Sequence, residues 1–121
     1  MSTLLTRVEE DVLLVYFQDV RIIDESQIQN LGQDLINLIK EGNHNKILIN
    51  LENVNFMSSA MIGKLILFGK KCQASNVDLR ICNINPNIKE VFDLMKLEKV
   101  FKVDLDEAQA VAAFNKKTWF K

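Results

Sequence analysis

The segment NFMSSAMIGKL, Asn55 to Leu65, sets two adjacent serines between an apolar run and a helical pattern. Hydroxyls at such a junction can do three kinds of chemistry. One hydroxyl can accept a backbone N–H of the helix start, because the first turn's N–H groups have no partner inside the helix. Two hydroxyls exceed what a cap needs. The same unpaired N–H groups, with the positive end of the helix dipole, stabilise a dianionic phosphate, so Ser58 or Ser59 can be phosphorylated without unfolding the turn. The third possibility is nucleophilic catalysis, as by the strand–turn–helix serine of hydrolases, but the G-x-S-x-G elbow is missing. The base such a serine needs has a single histidine candidate, His44, in the polar turn EGNHNK that reads as a solvated loop. Neither G-x-x-x-x-G-K-[ST] nor G-x-G-x-x-G occurs, so nucleotide hydrolysis lacks its phosphate cradle. The sequence therefore reads as a non-enzyme that needs no cofactor. The competing reading is a small α/β enzyme or ligand carrier in which Asp19, Asp24 and Asn50 converge at the carboxyl ends of the strands, where a deep cavity would be expected.

The 121 residues suit a single domain spanning 1–121, with a core large enough to fold without metals or disulfides. Hydrophobic residues make up 48% and charged residues 26% of the chain, and Gly and Pro together are too few for a disordered or low-complexity sequence. A net charge of -1 supplies no general attraction to nucleic acid or anionic lipid, so no direct nucleic-acid partner is expected. Cys72 and Cys82 lie among apolar residues, outside any C-x-x-C or Cys/His ligand pattern, and read as buried thiols in a reducing compartment. No stretch approaches the roughly 18 apolar residues of a membrane span, and the N-terminus lacks a signal-peptide pattern. The expected location is cytoplasmic.

Periodicity supplies the elements that must position the serines. LLTRVEE and LLVYF read as paired strands joined through the acidic turn ending at Asp11. From Ser26, Ile28, Leu31, Leu35 and Leu38 recur at helical spacing, with Gly42 as a stop. KILINL, Lys46 to Leu51, is a short apolar run suited to a strand covered on both faces. From Ser59 to about Cys72 a second helix carries Met61, Leu65, Phe68 and Cys72 as one stripe and Ile62, Leu65, Ile66 and Gly69 as another. Val77 to Ile84 reads as a strand. Asn85 as cap and Pro86 at the first turn open a third helix with Ile88, Val91, Phe92 and Met95 on its apolar face. VFKVDLD gives a last short strand, and Asp106 caps a terminal helix beyond which Trp119 and Phe120 read as the closing edge of the core or an exposed anchor. The order ββαβαβαβα predicts an α/β fold: one mixed, mostly parallel sheet with four helices packed against it.

In INLENVNFMSSAMIGKLI the chain resembles the STAS domain, the fold of bacterial anti-sigma factor antagonists, whose corresponding segment is similar to FMDSSGLGVLL. The resemblance runs from about Leu4 to Leu97. In that family the serine after the aspartate is phosphorylated by a partner serine kinase that is itself the anti-sigma factor. Setting FM on FM places Ser59 at the phosphorylated position, Ser58 at the aspartate, Ala60 at the second serine, Met61 at the first glycine and Gly63 at the second. VRIIDE falls where such antagonists carry a Gly-Glu-Leu-Asp-like segment, which aligns Asp24 with an acidic residue beside the phosphorylation site, and Asn50 and Asn53 fall around a strand-end acidic position.

The resemblance implies a binding protein that toggles between partners. Unphosphorylated, it would dock on an anti-sigma serine kinase through Asp24, Asn55, Met57, Ala60, Met61 and Lys64, with Met61 and Lys64 on the outward side or edge of the helix start. Adding about -1.5 to -2 charges at Ser59, or at Ser58, would block that docking, and a phosphatase would restore it. The alternative within the same fold is a STAS scaffold or adaptor in a larger regulatory or transport complex, with both serines as caps. The missing aspartate favours that version.

Overall fold

The computed structural model describes residues 4–116. Strands β1 (Leu4–Glu9) and β2 (Val12–Phe17) form an antiparallel hairpin. Its two-residue turn, Glu10 and Asp11, has φ of 47° and 72°, the doubly positive geometry that matches the twist of paired strands. A short strand β3 (Arg21–Ile22) precedes helix α1 (Glu25–Lys40), whose N-cap is Asp24. Strand β4 (Lys46–Asn50), the short β5 (Phe56–Met57) and helix α2 (Ser59–Ala74) follow. The chain continues through β6 (Asp78–Cys82), α3 (Pro86–Leu94), a 3-10 turn (Leu97–Lys99), β7 (Lys102–Asp104) and α4 (Glu107–Lys116).

The main sheet has the order β1-β2-β4-β6-β7, antiparallel at the hairpin and parallel elsewhere. Register aligns Val15, Ile49 and Ile81 across three strands, and all three are fully buried. One face of the sheet packs with residues of α1, α2 and α3 into the larger core, which includes Leu31, Leu35, Leu65, Phe68 and Phe92. The other face packs Val12, Leu14, Leu48 and Cys82 against Ala110, Val111 and Phe114 of α4. The central strands are apolar on both sides because both sides are covered. Burying each such side chain contributes about 1.5–3 kcal/mol, and the β-branched residues among them also favour the extended strand.

The four helices and the mixed, mostly parallel sheet are those expected from periodicity. Gly42, with φ of 73°, lies just past the end of α1 as expected. Two elements were not foreseen. Arg21–Ile22 and Phe56–Met57 pair in parallel as a separate two-stranded sheet, and two residues are too few to show an alternation. Cys72 and Cys82 are free and buried, and burial pushes both thiols up to about 12, which keeps them protonated and unreactive near neutrality. Trp119 and Phe120 lie outside the described residues. Among the described residues no helix is long and apolar enough to cross a membrane.

Candidate functional site at the start of helix α2

The small β3–β5 sheet is what presents the serines. Asn55 and Phe56 donate their N–H groups to Val20 O at 2.8 and 3.3 Å, and Ser58 donates its N–H to Ile22 O at 3.0 Å. The β3 side is anchored by Gln27 of α1. Its Oε1 accepts from Ile23 N–H at 3.0 Å and Asp24 N–H at 3.2 Å, and its Nε2 donates to Asp19 at 2.6 Å and to Arg21 O at 3.0 Å. The residues leading into α2 are thus held by hydrogen bonds on both sides of the junction.

The two serines divide the work of a helix start. Ser58 is half-buried and extended, with φ of -70° and ψ of 162°, and its Oγ accepts from Met61 N–H at a long 3.4 Å. It is the N-cap. Ser59 is the first residue of the helix and is exposed, as are Ala60 and Gly63 along the outward face. No acidic residue occupies the first turn, so nothing there offsets the positive end of the helix dipole. A methyl group added at Gly63 would meet nothing within 4 Å. This open, small-residue face is flanked by exposed apolar side chains: Val20 and Ile23 at the ends of β3, Phe56 on β5 and Leu67 further along α2. Arg21 lies over the Phe56 ring, 5.2 Å from its centroid.

The other residues expected at this site separate into two groups. Asn55 is exposed, and its Oδ1 accepts from Asn85 Nδ2 at 3.3 Å, tying the loop to the cap of α3. Asp24 is exposed as the cap of α1. Lys64 is half-buried, with its methylenes lying against Gly32 of α1, where an added methyl would stand 3.0 Å from Lys64 Cδ. Met57 and Met61, expected among the partner contacts, are instead 4% and 0% exposed and belong to the core. The outward placement of Met61 is corrected for a geometric reason: with the helix starting at Ser59, Met61 shares the sheet-facing stripe with Leu65, Phe68 and Cys72.

The expected convergence of Asp19, Asp24 and Asn50 does not form. Asp19 is held by Gln27, whereas Asn50 donates to Glu107 at 3.2 Å and accepts from Glu52 N–H at 2.8 Å. Glu107 also accepts from Tyr16 Oη at 2.5 Å and pairs with Arg7 at 3.2 Å, so Asn50 belongs to a latch that fastens the start of α4 to the sheet. Burial, followed by the hydrogen bond to Glu107, raises Tyr16 above the ordinary tyrosine range. His44 is half-buried in the loop before β4. No group of acidic, histidine or cysteine side chains among the described residues is arranged to hold a metal ion.

The STAS domain family model matches residues 4–110. The chain belongs to the STAS domain family. This STAS domain is 23% identical over 93 residues to BtrV of Bordetella bronchiseptica, named as a candidate anti-sigma factor antagonist, with 77% of this chain and 79% of that protein covered. Among solved structures, an anti-sigma factor antagonist from Mycobacterium paratuberculosis matches with a TM-score of 0.80 at 20% identity, covering 92% of each chain. The Bacillus cell fate determinant SpoIIAA in its phosphorylated form matches with a TM-score of 0.69 at 17% identity, covering 92% of this chain and 98% of that one. Family membership, together with relatives named for antagonism of anti-sigma factors, identifies a regulatory binding protein and not an enzyme.

Proposed function

We propose that this STAS domain is an anti-sigma factor antagonist whose partner, an anti-sigma serine kinase, docks on the start of α2 and phosphorylates Ser59. The observation that carries the reading is the division between the serines: Ser58 caps the helix, which leaves Ser59 as an exposed hydroxyl at the dipole's positive end without an acid in the first turn. A phosphate there is stabilised by the helix start while it places about -1.5 to -2 charges in the middle of an apolar-rimmed surface. Docking is then opposed by desolvation of that charge, and the partner is released. Asp24, Asn55, Ala60 and Lys64 are the contacts within this reading. The buried Met57 and Met61 support the surface from beneath. SpoIIAA, a structural neighbour, has been solved in a phosphorylated form.

The test is incubation of the protein with its cognate serine kinase and ATP, followed by mass spectrometry of the peptide spanning the two serines. Phosphate on Ser59 is the expected result. An unmodified peptide, or phosphate confined to the cap Ser58, contradicts it. A second reading, a STAS scaffold that uses the same face without phosphorylation, is favoured by one observation: a serine, Ser58, stands where the family carries its aspartate. Under that reading Ser59→Asp leaves partner binding unchanged.

A further inference from the structure

Away from the start of α2, a second surface has features that the reading above does not use. Ile84, Phe92, Val103 and Leu105 wall a cavity of about 290 Å³ between α3, the 3-10 turn and β7. That lies at the lower limit of the ~300–1,000 Å³ typical of small-molecule pockets, and suits one or two large side chains better than a free metabolite. Its floor is fixed, because Phe92 stacks on Phe101 with centroids 5.9 Å apart. Of its walls Leu105 is 76% exposed and Val103 is also open, and Leu94 and Met95 are exposed at the end of α3. Apolar side chains so exposed around a preformed groove mark an interaction site.

The mouth also has a charge. Asp104 is satisfied by Arg80, which donates to its two oxygens at 3.3 and 3.0 Å, and Asp93 meets Lys89 at 3.4 Å. Glu98 lines the same mouth beside Asp93 and Asp104, and the neighbouring Asp93 carboxyl holds Glu98 above the usual carboxylate range. Lys89 and Arg80 each answer one of the three carboxylates, so Glu98 leaves an excess of negative charge at the mouth that an entering cation meets.

We propose that the groove between α3, the 3-10 turn and β7 is a second docking site, which takes a segment of a protein partner presenting a large apolar side chain beside a lysine or arginine. The apolar walls receive the first and the Asp93–Glu98 pair receives the second. An acidic segment or a nucleic acid is repelled by the same carboxylates. Asp93 stands eight residues beyond the α3 cap Asn85, about 12 Å along the helix axis, so this groove lies apart from the Asn55–Asn85 contact beside α2. The inference is independent of whether Ser59 is phosphorylated.

The experiment uses a fluorescein-labelled amphipathic peptide of leucine and lysine, with a leucine and glutamate counterpart, titrated by anisotropy, and backbone amide NMR to map where the first one binds. The Leu/Lys peptide should bind and shift the amides of Ile84, Phe92, Val103 and Leu105. Glu98→Lys and Leu105→Glu, both at exposed positions that leave the fold intact, should each weaken it about tenfold or more, whereas Ser59→Asp should not change it. The proposal is overturned if the peptide fails to bind, if the shifts gather elsewhere, if neither variant weakens binding, or if the Leu/Glu peptide binds equally well. It is equally overturned if the protein alone self-associates and Leu105→Glu abolishes that, because the groove then receives a second copy.

Discussion

Gly63 and Gly69 lie on the same helix, yet a methyl group added to one meets open space and added to the other stands 2.9 Å from the Phe101 ring. The back half of α2 is seated: Gly69 is there because Phe101 packs across it. The front half is bare, and among the described residues nothing lies within 4 Å of a methyl group added at Gly63. A glycine inside a helix costs about 1 kcal/mol relative to alanine, so an exposed one without an internal neighbour points to something that approaches from outside. The same contrast runs through the side chains, with Met61, Leu65, Phe68 and Cys72 turned to the sheet and Ser59, Ala60 and Gly63 turned away. One half of the helix serves stability, and the other, on the function proposed above, presentation.

That contrast can be broken at its strongest point first. Phe68 is fully buried, and Phe68→Ala should destabilise the protein by about 3–5 kcal/mol in urea unfolding through the cavity it leaves. Gly69→Ala is expected to destabilise by about 1–3 kcal/mol through overpacking against Phe101, less the gain in helix propensity. A neutral Gly69→Ala would mean that Phe101 yields and the two halves differ less than their geometry implies.

Smaller effects sharpen the division at the helix start. Ser58→Ala removes the cap and should cost about 0.5–1 kcal/mol, at the low end of the capping range because its 3.4 Å hydrogen bond is long. Ser59→Ala should stay within about 0.5 kcal/mol of the parent, as an exposed substitution away from any cap or cavity does. Gly63→Ala should raise stability by about 0.5–1 kcal/mol. A Ser59→Ala as costly as Ser58→Ala would erase the distinction between a structural serine and an available one.

What could be read from the sequence follows the length of each signal. Helices α1, α2 and α3 announce themselves through recurrent apolar spacing and through Asn85–Pro86 at a helix start, and the order of long strands followed from runs such as LLVYF and KILINL. The β3–β5 pair could not be read, because Arg21–Ile22 and Phe56–Met57 are too short for periodicity and their pairing joins residues far apart in sequence. With that pair went the exposed rim of Val20, Ile23 and Phe56, since the outward face of a strand is undefined until its register is known. The serines were legible as a junction, but which of them caps depends on where the helix starts to within one residue. Met61 was legible as part of a stripe with Leu65, Phe68 and Cys72; the family resemblance alone set it on the partner surface, and its burial decides for the stripe. The Asn50–Glu107–Tyr16–Arg7 latch spans most of the chain and leaves no local pattern.

The account rests on the availability of Ser59. Its most direct test is titration calorimetry of the anti-sigma serine kinase against the unmodified protein and Ser59→Asp, with thermal unfolding of both. The account predicts binding weakened about tenfold or more by the added charge, with unfolding unchanged. Equal affinity for the two proteins, or loss of binding only alongside loss of the fold, would contradict it.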